Sequence, residues 1–92
     1  YEKVLQVFPV FFTAHYNLGL LLSEEGKYAQ ALEKFEQTLN LNPNFTIAIY
    51  QIGKTHLRMG NKKEAKRRLE EYLHRVPEGE AAVEAKQALA KL

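Results

Sequence analysis

Apolar residues recur at three- and four-residue steps over most of the chain, the spacing of a helix face rather than of a strand. Ala14, Leu18, Leu21 and Leu22, with His15 beside them, mark one stripe. Tyr28, Ala31, Leu32, Phe35, Leu39 and Leu41 mark the next. Ala48, Ile49, Ile52 and His56 form a third, and Ala65, Leu69, Tyr72, Leu73 and Val76 a fourth. Breakers separate them. Gly26 and Gly60 stand just past a stripe, where a residue tolerant of positive φ ends a helix. Asn42-Pro43-Asn44 and Pro77 stop the hydrogen-bond ladder, because proline lacks an N–H and restricts the residue before it. Asn61 and Glu64 have the spacing of a capping box. The pattern predicts helices over 1–7, 11–25, 28–41, 46–59, 62–75 and 79–91. Short loops make successive helices antiparallel neighbours.

The stripes also repeat at a fixed offset. Pro9, Pro43 and Pro77 lie 34 residues apart. Glu2/Glu36/Glu70, Leu5/Leu39/Leu73 and Ala14/Ala48/Ala82 keep the same step, as do Phe11/Phe45, Tyr16/Tyr50, Gly19/Gly53, Gly26/Gly60 and Ala31/Ala65. A period of this length means stacked copies of one helical hairpin. Residues 12–45 and 46–79 are complete units. Residues 1–9 match the end of a preceding unit's second helix, and 80–92 a first helix acting as a C-terminal cap. In that cap Lys86 and Gln87 stand where Leu18/Ile52 and Gly19/Gly53 stand earlier, a polar pair suited to water.

The run Tyr16-Asn17-Leu18-Gly19, followed by Gly26, Tyr28, Ala31, Phe35 and Pro43, resembles a tetratricopeptide repeat. The resemblance implies an all-α, right-handed α-solenoid of antiparallel helix pairs, with two full units and a partial unit at each end. Gly19 and Gly53 would sit where the two helices of a unit cross closely. Phe35 and Leu69 would fill the space between units. The chain departs from the family's preferences at His15 and Ile49 (tryptophan), Leu22 and His56 (tyrosine), and Thr38 and Tyr72 (alanine).

Composition adds bounds. Ninety-two residues at 46% hydrophobic, 26% charged and net charge +2 fit a folded domain. The absence of cysteine removes disulfides and thiolate metal sites. No apolar run approaches the roughly 18 residues of a membrane span, and no signal peptide is visible. The chain opens on Tyr1 in mid-pattern, as expected of a piece of a longer parent. Val4, Leu5, Val7 and Phe8 would then lack their upstream partner helix, which predicts self-association through the N-terminal helix.

Catalytic signatures are missing: no GxSxG, no phosphate-binding Gly-Lys-Ser/Thr run, no HExxH and no glycine-rich nucleotide turn. The expectation is a non-enzyme with no cofactor and no metal. His15 and His56 fall on buried-type positions, and His74 lies near a helix end. Charge is uneven: residues 54–75 carry eight Lys/Arg against three glutamates. The stretch Lys62, Lys63, Lys66, Arg67 and Arg68 raises nucleic-acid binding as a weaker alternative. Interleaved Glu64, Glu70 and Glu71 favour ordinary intrahelical ion pairs instead.

The resemblance implies a groove lined by first helices that holds an extended peptide or partner helix. Carried onto this chain, the lining is Thr13, Tyr16, Leu20, Ser23 and Glu24, then Ile47, Tyr50, Lys54, Leu57 and Arg58. Tyr16 and Tyr50 offer contact area with a hydroxyl, or pack between units; both readings stay open. Lys54 and Arg58, one turn apart, suit a carboxylate. The family's clamp for acidic chaperone tails does not fit. Tyr16 and Leu20 replace its first lysine and asparagine, and Ala81 and Ala85 its last two basic residues. The reading is a non-catalytic protein–protein interaction module, with a structural, self-associating part of a longer scaffold as the alternative.

Overall fold

The computed structural model describes residues 2–92, with side chains from Phe12 onward. It contains α1 (Glu2–Glu24), α2 (Tyr28–Leu41), α3 (Ile47–Met59), α4 (Lys62–Arg75) and α5 (Glu80–Ala90). There is no strand among the described residues. Each helix packs mainly on the next in chain order, with lighter contact from α1 to α3 and from α3 to α5. The body is elongated, 47 × 28 × 19 Å. That is the form of an all-α solenoid, in which each hairpin touches only its neighbours.

The breakers act as their chemistry dictates. Gly26 and Gly60 adopt φ of 83° and 80° and end α1 and α3 in the left-handed region. At the ends of α2 and α4, Asn42 and Val76 donate their N–H groups back to Thr38 and Tyr72, just before Pro43 and Pro77. Pro43 has a further role: its carbonyl accepts Arg75 Nη1 at 3.0 Å, tying the α2–α3 turn to the end of α4.

Two crossings fix the hairpins. A Cβ built at Gly19 would lie 2.6 Å from Phe35 Cε1, and one at Gly53 2.8 Å from Leu69 Cγ and Cδ2. Phe35 and Leu69 therefore rest on bare backbone, and both are fully buried. Around Phe35 gather Ala31 and Ile52, with Tyr16, Leu20 and Leu22 at the edge. Around Leu69 gather Ile49, Tyr50, Tyr72, Ala82 and Ala85. Thr38, one of the departures from the family's preferences, and Thr55 are both buried. Thr38 donates to Lys34 O at 2.8 Å and Thr55 to Gln51 O at 2.7 Å, so each buried hydroxyl is satisfied within its own helix.

Four expectations need correction. The helix does not break at Pro9: α1 runs through it. The break was expected because proline cannot donate to Leu5 O, but one missing bond does not forbid continuation. Asn61 and Glu64 form no capping box. Asn61 Nδ2 instead donates to His56 Nδ1 at 3.3 Å, and Arg67 takes Glu64. Leu41, read as part of an apolar stripe, is 40% exposed. Ala14, Leu18 and Leu21 are exposed too, although Ala48, Ile52 and Thr55, one repeat on, are buried. The reason is positional: α2 covers the second set, and no described helix covers the first. The expected exposure of Val4, Leu5, Val7 and Phe8 concerns side chains outside the described residues.

Candidate functional site

The first helices α1, α3 and α5 lie side by side, and two cavities open between them. The first, about 150 Å³, lies between α1 and α3 and is lined by Leu20, Ser23, Glu24, Gln51, Lys54 and Arg58. The second, about 330 Å³, lies between α3 and α5. Tyr50, Lys54, Leu57, Ala88 and Leu92 line it, with Glu84, Gln87 and Lys91 from α5 and its end. Lys54 borders both.

Of the residues predicted from sequence, Leu20, Glu24, Lys54 and Arg58 meet at the first cavity, and Tyr50 and Lys54 at the second. Thr13, Tyr16 and Ile47 line neither. Tyr16 packs between units. Its ring lies 5.0 Å from Phe45 at right angles and 5.8 Å from Phe35. Its hydroxyl accepts Gln51 Nε2 at 3.3 Å. Burial pushes that hydroxyl above its ordinary range, partly opposed by the hydrogen bond. Ile47 packs against the Leu69 core. The sequence did not point to α5 as a wall. The signal was present as the third copy of the 34-residue period, but cap residues were read only as solvating.

Tyr50 does two things. Its ring is 5% exposed and stacks on Tyr72 at 5.4 Å, yet it also floors the larger cavity. Lys54 Nζ stands 5.3 Å from the ring centroid, a cation–π arrangement. Burial, with Glu84 beside it, pushes the Tyr50 hydroxyl up to about 12. The linkage sign follows. Between pH 10 and 12 the unfolded chain has released this proton while the native state still holds it. The contribution is complete below pH 10 and is lost as pH rises through the window. Tyr50→Phe should flatten that part of the decline. Urea midpoints at pH 9 and 11 for both proteins check it; an equal fall in both places the loss elsewhere.

The cations differ in how they are used. Arg58 Nη1 donates to Ser23 Oγ at 3.4 Å, and neither Arg58 nor Lys54 has a carboxylate within 4.0 Å among the described residues. On α4 the reverse holds. Arg67 grips Glu64 at 2.9 Å, and Arg68 grips Glu36 at 2.8 Å and Glu71 at 3.5 Å. Arg68 Nε is buried without a partner. Two of the five cations in 62–68 are thus neutralised in place. His15 and His56 are half-buried rather than buried. Burial holds the His56 imidazole below its ordinary range, as does Arg68, against Glu64. No group of three metal-ligating side chains occurs among the described residues.

Two family models of the tetratricopeptide repeat match, one over residues 22–92 and one over residues 1–33. The chain belongs to the tetratricopeptide repeat family. Tetratricopeptide repeats generally mediate protein–protein interaction. A 38-residue stretch, 41% of the chain, is 42% identical to the Photosystem I assembly protein Ycf3 of Acaryochloris marina. That stretch spans 23% of the relative's length. No described helix is long and apolar enough to cross a membrane.

Proposed function

We propose that this tetratricopeptide repeat chain is a non-catalytic module that holds a peptide or partner segment along the face of α1, α3 and α5. The observation that carries the reading is Lys54. It lines both cavities, which lie on either side of α3, so the two openings adjoin at one side chain. Charge adds to this, because Lys54 and Arg58 face these openings with no carboxylate within 4.0 Å among the described residues. The partial relative is an assembly protein, which agrees with binding rather than catalysis.

Bulk placed in these openings tests it. Ser23→Trp and Gln87→Trp should abolish partner capture by the parent protein with the fold intact by circular dichroism. Lys66→Trp, on exposed α4, should leave capture unchanged. Equal capture by all three variants would remove the reading.

A second reading rests on α1. Leu18 is 41% and Leu21 52% exposed, while Ile52 and Thr55 at the equivalent positions are 0% and 1% exposed under α2. The same stripe is covered once and open once. A helix resembling α2, with its Ala31 and Phe35, fits the open copy, so this face stacks on a further repeat hairpin. In its absence a second copy of the chain takes the place. Light scattering should show mass rising with concentration. Leu18→Glu with Leu21→Glu should give a monomer with stability changed by about 0.5 kcal/mol or less, the range for surface sites. A concentration-independent monomer for the unaltered chain contradicts it.

A further inference from the structure

Resting on the groove reading above, we infer that the occupant is an extended peptide segment with two anchors. An acidic side chain sits between Lys54 and Arg58. A bulky apolar side chain, about three residues away, enters the cavity between α3 and α5.

The two cavities differ in chemistry. Ser23, Glu24 and Gln51 make the α1–α3 cavity polar, with Lys54 and Arg58 as its cations. Leu57, Ala88, Leu92 and the Tyr50 ring give the α3–α5 cavity apolar walls. Its volume of about 330 Å³ is ample for a leucine or phenylalanine side chain. Lys54 and Arg58 stand one turn apart on α3, and both line the α1–α3 cavity. Arg67 and Arg68 on the outer face are already matched to glutamates. The pair on α3 is left for a carboxylate from outside, and a charge-assisted hydrogen bond there is stronger than a neutral one.

Spacing and sign narrow the ligand. Neighbouring helices pack about 8–10 Å apart. An extended chain advances about 3.3 Å per residue, so stepping from one cavity to the next takes about three residues. The carboxylate must then come from a side chain, since the backbone continues to the second anchor. Glu24 borders the first cavity, and Glu84 with Lys91 the second. Each glutamate disfavours a further acid beside it, so the segment carries one acid followed or preceded by neutral residues. This differs from an acidic tail: Lys54 holds in α3 the place that Leu20 holds in α1, and Arg58 stands one turn beyond it.

The test selects random peptides, inserted in a loop of a display protein so that neither end is free, against the folded chain. Amide shift mapping then locates each selected peptide. The expected result is enrichment of an acid and an apolar residue about three positions apart, with shifts on α3 and α5. Such peptides should lose about tenfold or more in affinity against Lys54→Gln with Arg58→Gln. They should lose a similar amount when their acid is replaced by its amide. Peptides that map to the face of α1, α3 and α5 without this pair, or that ignore the double variant, overturn the inference and leave the groove reading standing. Selections that map only to α2 and α4, or that yield no binder, overturn both.

Discussion

Gly53→Leu should destabilise the chain by about 1–3 kcal/mol, the usual cost of forcing extra carbon into a packed contact. For a domain of this size that lowers the melting temperature by on the order of 10 °C. The geometry leaves little room for escape. A Cβ at this position meets Leu69 Cγ and Cδ2 at 2.8 Å and the Leu69 backbone nitrogen at 3.4 Å. Side-chain rotation relieves the first two contacts, but Leu69 is fully buried and its alternatives are occupied by Ile49, Tyr50 and Tyr72. The backbone contact moves only if α4 moves. Gly53→Ala separates these effects, because it adds the clashing carbon alone. In a Leu69→Ala background, itself costly at a buried site, the same change should cost little more, giving a favourable coupling energy in a double-mutant cycle. Thermal unfolding of Gly53→Leu equal to that of the unaltered chain would place the helix crossing elsewhere.

That prediction was available from sequence, and its partner was too. Gly53 and Leu69 both belong to the 34-residue period, and the period carries most of the fold. It set α2 at 28–41 and α4 at 62–75, and set α3 and α5 to within one residue at each end. Such accuracy has a physical basis. Each helix is bounded by a residue whose backbone chemistry leaves few options, glycine at positive φ or proline without a donor. Periodicity is blind to one thing, which is whether a neighbour is present to cover a stripe. Leu18 and Ile52 read identically along the chain, yet one is exposed and the other sealed beneath α2.

The candidate site was legible in part. Placing Leu20, Glu24, Lys54 and Arg58 on one face needed only helical geometry and the repeat offset. The role of the tyrosines did not follow, because a half-apolar ring satisfies both packing and recognition. The structure puts Tyr16 into packing against Phe45 and Phe35, while Tyr50 packs on Tyr72 and also floors a cavity. The contribution of Ala88 and Leu92 was missed because small or terminal residues carry no chemical signature of their own. Their part arises only when α5 lies beside α3. The capping box failed for a related reason. Asn61 and Glu64 had the right spacing, but His56 and Arg67 offered competing partners that a four-residue motif does not contain.

Pro9→Ala should stabilise the chain by about 3 kcal/mol, the cost of proline in a helix interior relative to alanine. Pro9 lies well inside α1, which runs from Glu2 to Glu24. A proline inside a helix lacks the N–H that would bond the carbonyl four residues back, here that of Leu5. Alanine restores that bond. It also leaves the preceding residue free to be helical without strain. The competing arrangement makes the opposite prediction. If residues 1–7 formed a separate helix folded back on α1, Pro9 would sit in the connecting turn with its φ already fixed. Replacing it by alanine would then loosen the unfolded chain and cost about 0.4–1 kcal/mol. The two outcomes differ in sign, so one pair of urea titrations decides between a straight α1 and a hairpin. The result bears on the open stripe as well. A straight α1 leaves Ala14, Leu18 and Leu21 for another molecule or another repeat, whereas a folded-back segment would cover them from within the same chain.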